Sequence, residues 1–92
     1  MSQLIVTYDI HNDKLRTQFS KYLTKFGYRL QYSVFEIRNS ERILENIKTK
    51  VISSFEKRFQ QGDSVIIFDL GLNTERINFG YAKNSETDLI II

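Results

Sequence analysis

The sequence has no cysteine and no proline, a single histidine, and only four glycines, none adjacent to another. The missing cysteine excludes disulfides, zinc-thiolate centres and thiol nucleophiles, and one histidine cannot build a His-rich metal site. Gly27, Gly62, Gly71 and Gly80 stand alone, so there is no glycine-rich loop to cradle a phosphate. No apolar run approaches a membrane span, and Met1-Ser2-Gln3 leads straight into a strand pattern without a basic region or apolar signal core. A cytoplasmic protein is therefore expected. If a metal is used, carboxylates, hydroxyls and main-chain oxygens are the ligands available, which favours a hard ion such as Mg²⁺.

Of the 92 residues, 41% are hydrophobic and 26% charged, a globular balance that fits one domain with one core. The core is expected over about residues 1–71, with about 72–92 as a strand segment that meets a dimer mate or partner. The formal charge of +2 is mildly basic, a weak pointer to nucleic acid.

The chain is organised around Leu4-Ile5-Val6-Thr7-Tyr8-Asp9-Ile10, a β-branched run that ends on one carboxylate. His11-Asn12-Asp13 is a polar turn, and Asn12 or Asp13 caps the helix that follows. Leu15, Phe19, Tyr22, Leu23 and Phe26 form the apolar stripe of that helix, which Gly27 is expected to end in a left-handed conformation. Two strands are predicted around Tyr28–Gln31 and Val34–Arg38, with Tyr32-Ser33 at the bend. Ser40 and Glu41 suit the start of a second helix, whose stripe is Ile43, Leu44, Ile47, Val51, Phe55 and Phe59. Val65–Phe68 is a buried strand, Arg76–Tyr81 a looser extended segment, and Asp88–Ile92 an apolar end.

That order, β-α-β-β-α-β plus a terminal strand, predicts an α+β ferredoxin-like sandwich with both helices on one face of a 4-1-3-2 sheet. The strands are apolar on both sides. A two-fold homodimer, with the tail as an added strand, is the simplest cover for the second face.

Asp9 and Asp69 end antiparallel strands and fall at opposite ends of the sheet. Asp9 alone is too little for a metal site, whereas two copies facing each other across a dimer axis would supply the carboxylates Mg²⁺ requires. By position alone the commoner role of such an acid is to end a strand or cap a turn. Lys14, Arg16, Lys21 and Lys25 along the first helix, with Arg29 after it, make either a solvated face or a phosphate-binding one. Tyr8 reads as core, and Phe35 as a core or dimer residue. Ser33 lies at the Asp9 end of the sheet, and His11 could move protons near neutral pH, although a lone loop histidine is more often incidental.

Tyr8-Asp9-Ile10, the stretch Gly27-Tyr28-Arg29-Leu30-Gln31-Tyr32-Ser33-Val34-Phe35-Glu36 and the strand ending Phe68-Asp69-Leu70 together resemble the CRISPR-associated protein 2 family. Arg29 to Glu36 is the most specific part, and the resemblance runs over essentially the whole chain. It implies a ferredoxin-like homodimer that bridges the CRISPR-associated protein 1 integrase during spacer acquisition, with double-stranded DNA across its basic surface. It also implies metal-dependent endonuclease activity on RNA or DNA, with Asp9 holding Mg²⁺ between protomers. Tyr8, Arg16, Arg29, Ser33 and Phe35 match further positions tied to the substrate or the active-site structure. The first helix opens Lys14-Leu15-Arg16-Thr17-Gln18, less basic than in many relatives, which weakens the nuclease reading more than the scaffold reading. A stand-alone, toxin-type endoribonuclease of the same fold is the alternative.

Overall fold

The computed structural model describes residues 3–38, 41–71 and 75–80. In chain order it contains β1 (Gln3–Asp9), α1 (Asp13–Leu23), β2 (Gly27–Gln31), β3 (Val34–Arg38), α2 (Glu41–Lys50), β4 (Ser64–Asp69) and β5 (Glu75–Gly80). All strand pairs are antiparallel, in the order β2-β3-β1-β4-β5. The first four strands give the expected 4-1-3-2 arrangement of a ferredoxin-like fold, with β5 added outside β4.

Strand alternation decides which side is sealed. Leu4, Val6 and Tyr8 of β1, Phe35 and Ile37 of β3, and Val65 and Ile67 of β4 are buried with Leu15, Phe19 and Leu23 of α1 and with Ile47 of α2. Phe19 is the hub, edge-on to Tyr8 at 5.1 Å and to Phe55 at 4.9 Å. The alternate positions Ile5, Thr7, Val34, Glu36, Ile66 and Phe68 line the helix-free face and are only half-buried.

Both helices follow their stripes. Asn12 is the cap of α1, its Oδ1 accepting the Leu15 N–H at 2.9 Å. The second helix does not stay α throughout: it widens into a π turn over Val51–Phe55 and tightens into a 3₁₀ turn over Glu56–Arg58. The buried residues Ile47, Val51 and Phe55 recur every four positions, a spacing that drifts about 40° per repeat round a 3.6-residue helix. A wider turn takes that drift out and keeps Phe55 against Phe19.

Two expectations need correction. Gly27 does not end α1 in a left-handed conformation; the helix stops at Leu23, and positive φ occurs only at Gly62 and Gly80 among the described glycines. Gly27 opens β2 instead, where a Cβ would lie 2.1 Å from the Glu36 carbonyl oxygen, so the requirement is close strand approach. The segment expected to be loosely extended is a regular strand: β5 pairs with β4 from Ser64↔Gly80 to Asp69↔Glu75 and buries Phe79. Ser40 as a cap and the apolar end at residues 88–92 lie outside the described residues.

Candidate functional site

Strand β1 carries Asp9 at its last position, and the β-pleat sends its neighbour Tyr8 the other way into the core. The Asp9 side chain is 71% exposed. Asp69 pairs opposite Leu4 at the far end of the sheet, where its Oδ1 accepts the Gly71 N–H at 3.0 Å. The two acids are thus separated as expected, and Asp69 has a turn-holding role.

A second acid does reach the Asp9 end. Asp9 pairs opposite Ser64, so the residues leaving β1 meet those entering β4, and His11 lands on Asp63. Asp63 is fully buried. Its Oδ1 accepts the His11 main-chain N–H at 3.0 Å and lies 2.7 Å from His11 Nδ1, while Oδ2 accepts the Gln60 N–H at 2.8 Å. Gly62, at φ 91°, makes the turn that aims the carboxylate inward.

Burial alone would raise the Asp63 pKa, but the Gln60 N–H, the His11 ring and the His11 N–H outweigh it and hold the carboxyl below its ordinary value. The hydrogen bond to Asp63, assisted by the charge of Asp9, raises the His11 pKa. With Nδ1 donating to Asp63, the neutral ring leaves Nε2 as the acceptor, 4.0 Å from Asp9 Oδ1. His11 is therefore an oriented imidazole beside the exposed acid.

The other signature residues converge on the same end. The Tyr8 N–H bonds the Ser33 carbonyl at 3.2 Å, so Ser33 ties the β2–β3 bend to β1 through its backbone. The Tyr8 hydroxyl donates to the Tyr32 carbonyl at 3.4 Å; burial raises its pKa, with Arg29 pulling weakly the other way. Phe35 stacks on Tyr8 at 6.3 Å, and the Arg29 guanidinium lies 5.3 Å from the centre of the Phe35 ring. Phe35 is thus a core residue that supports Tyr8 and Arg29. Arg16 Nη1 donates to the carbonyl of Ile10 at 3.1 Å, and its Nη2 pairs with Asp13. Arg16 pins the exit from β1.

The expected basic set divides in two. Arg16 and Arg29 belong to the Asp9 end. Lys21 and Lys25 instead line a shallow groove of about 340 Å³ with Lys50 and Arg58, floored by Tyr22 and Phe55, and Lys14 sits in an adjoining groove. Helical geometry explains the split: at about 100° per residue, Lys14 and Lys21 share one edge of α1 and Arg16 is on the other, with Lys25 just past the helix end.

Asp9 is a hard oxygen donor of the kind Mg²⁺ prefers, but among the described residues no three His, Asp or Glu side chains gather as a metal cluster. Asp63 is buried and already accepts from three donors. Among the described residues of one chain, Asp9 is thus the exposed carboxylate beside the His11 ring, and the fit to Mg²⁺ is completed only by a second donor set.

Residues 1–76 match the family model described as CRISPR associated protein Cas2. The chain belongs to the Cas2 family. A protein named CRISPR-associated endoribonuclease Cas2 2, from Methanospirillum hungatei, is 36% identical over 70 residues, covering 76% of this chain and 74% of that protein. The CRISPR-associated endoribonuclease Cas2 of Thermus thermophilus is 40% identical over 48 residues, 52% of this chain and 51% of that one. A crystal structure of a hypothetical protein from Thermus thermophilus superposes with a TM-score of 0.63 at 30% identity, covering 75% of this chain and 80% of that chain. Membership of the Cas2 family agrees with the ferredoxin-like order and with the Arg29–Glu36 signature. No helix among the described residues is long and apolar enough to cross a membrane.

The sequence did not single out Asp63 or Tyr32. Asp63 reads locally as a helix-ending acid after Gly62, and only the pairing of β1 with β4 joins it to His11. Tyr32 reads in sequence only as part of the bend between two strands.

Proposed function

We propose that this protein is a cytoplasmic, homodimeric CRISPR adaptation protein that binds double-stranded DNA and the CRISPR-associated protein 1 integrase, and that it cleaves RNA or DNA phosphodiesters in a Mg²⁺-dependent reaction. The observation that carries the reading is the exposed Asp9 at the rim of the helix-free face, with an Asp63-held imidazole beside it. The half-buried Ile5, Val34, Ile66 and Phe68 on that face are what a second copy would cover. Pairing there would bring two Asp9 carboxylates to one axis, where they could hold a Mg²⁺ ion whose other positions go to water and phosphate oxygens. When bound, Mg²⁺ supplies charge neutralisation of the phosphodiester and an acidified water.

The chain's own residues supply the setting. Asp63 fixes the His11 ring so that Nε2 is the atom able to take or return a proton near Asp9. Arg16 holds the β1 exit by the Ile10 carbonyl, and Arg29 presents positive charge beside Tyr8. The names of the relatives, endoribonucleases, support cleavage, and the lysine groove supports backbone binding.

Asp9→Asn removes the negative charge and keeps the shape. It should abolish Mg²⁺-dependent cleavage with an unchanged unfolding midpoint. Equal mixing of Asp9→Asn with wild type, after subunit exchange, should leave about a quarter of the activity if both acids serve one ion, and about half if each works alone. Cleavage by the Asp9→Asn homodimer would defeat the nuclease part of the reading, and a protein that stays monomeric in sedimentation would defeat the shared site.

A further inference from the structure

The β2–β3 bend presents Tyr32 to solvent at the Asp9 end of the sheet, 68% exposed for a large ring with no part in the core. It does not dangle freely. Its carbonyl accepts the Tyr8 hydroxyl, and the next residue, Ser33, accepts the Tyr8 N–H, so the bend is fastened to the strand that carries Asp9. The Arg16 guanidinium lies 5.9 Å from the ring centre while also bonding the Ile10 carbonyl, one residue beyond Asp9. Arg29, on the strand that leads into the bend, lies over the Phe35 ring and keeps further positive charge at this end of the sheet. An exposed aromatic held against a guanidinium at the mouth of the proposed phosphodiester site has the composition of a base-stacking platform.

We propose that Tyr32, backed by Arg16, stacks an unpaired base of a single-stranded nucleic acid and so makes Tyr32 a specificity-determining residue for the site at Asp9. The proposal rests on the nucleic-acid reading above and adds to it the recognition of a splayed base. A base inside a duplex has its faces covered by its neighbours and cannot offer one to Tyr32, so the platform favours single strands. Charge decides between this occupant and a protein strand laid along the exposed β2 edge. Arg16 lies against the ring and Arg29 sits over Phe35 on the neighbouring strand, and the phosphates of a nucleic acid match these charges whichever base is stacked.

The sequence contains no tryptophan, which makes a direct reporter available. Binding is measured on the full chain in EDTA, without cleavage, with a short mixed-sequence oligoribonucleotide and with the duplex of the same sequence. Tyr32→Ala should weaken single-strand binding by at least about fivefold, the low end of what one stacked base contributes, and leave duplex binding within about twofold. Tyr32→Phe should bind single strands like wild type. Tyr32→Trp should lose fluorescence on adding the single strand and keep it on adding the duplex. Equal losses for both substrates, no loss for either, or an unquenched Trp would overturn the proposal. So would dissociation of the homodimer by Tyr32→Ala in sedimentation, because the ring would then be an interface residue. These readouts do not depend on Asp9 or on metal, so the stacking can fail while Asp9 chemistry stands, and the reverse.

Discussion

Replacing Asp63 should destabilise the fold more than any other change to a charged residue at the Asp9 end. The side chain is fully buried and accepts three hydrogen bonds, two of them from main-chain N–H groups. Asp63→Ala leaves those N–H groups of His11 and Gln60 without their acceptor and takes the charged partner from the imidazole. One buried unsatisfied donor costs about 1–3 kcal/mol, and breaking a buried pair about 3–5 kcal/mol. The His11 side chain is 56% exposed, so water can reach part of the network, and a loss of about 3 kcal/mol is expected. Asp63→Asn should lose less, about 2 kcal/mol, because its oxygen serves one N–H while its amide nitrogen faces another donor. The assay is urea unfolding at neutral pH. With a slope near the low end for a small domain, about 1 kcal/mol per molar, the midpoint should fall by about 3 M in Asp63→Ala and about 2 M in Asp63→Asn. A midpoint for Asp63→Ala within about 0.5 M of wild type would refute the reasoning.

The same network fixes a pH dependence. The folded-state pKa of His11 is raised, so its contribution is complete below the unfolded value of 6.5 and is lost as the pH climbs through the higher folded value. Asp63 runs the other way: its folded pKa is lowered, so its contribution is complete above the unfolded 3.8 and is lost as the pH falls through the lower folded value. Their joint contribution is greatest between these two unfolded values. In EDTA, the unfolding midpoint of wild type should decline above pH 6.5, and that part of the decline should vanish in His11→Gln. The groups facing the ring are Asp63, Asp9 and Arg16, of which only the two acids favour its charged form. An identical alkaline decline in His11→Gln would place its origin elsewhere.

Gly27→Ala should destabilise by about 2 kcal/mol or more, with accelerated amide exchange in β2, because a Cβ would meet the Glu36 carbonyl oxygen at 2.1 Å and strands cannot part without losing their ladder. Wild-type exchange rates in that variant would refute the close-approach argument. Ile66→Lys, on the helix-free face, should change monomer stability by less than about 1 kcal/mol yet abolish self-association and cleavage together. An Ile66→Lys dimer in sedimentation would remove that face from consideration.

Much of this architecture was legible because its signals are local or periodic. The β1 alternation, the Leu15-Phe19-Leu23 stripe and the opposed Asp9 and Asp69 all follow from counting by two or by 3.6. Gly27 misled because a glycine after a helical stripe ordinarily closes the helix, whereas here its use is set by Glu36, nine residues away on the neighbouring strand. β5 was faint because Arg76 and Asn78 interrupt its apolar positions, and its register is imposed by β4. The His11–Asp63 bond spans 52 residues and has no sequence period. It was still derivable in principle, since antiparallel β1 and β4 must join the exit of one to the entrance of the other.

That junction gives the site its character. The fold closes one side of the sheet with helices and uses the crossing of β1 with β4 to place a rigid pair, Asp63 and His11, just below the rim. Asp9, two residues before His11 and with the ring's Nε2 4.0 Å from its Oδ1, stays exposed. An exposed acid at a sheet rim costs nothing in a monomer, because water solvates it. It acquires a specific use only when something of opposite charge is brought to it. Arg16 is already bound to Asp13 and to the β1 exit, and the lysines of α1 lie on the other edge of their helix. Within the described chain these arginine and lysine side chains therefore do not neutralise Asp9. The metal-bridged phosphodiester proposed above would require that acid to be left open to the ion, which is why charge reversal at Asp9 is its sharpest test.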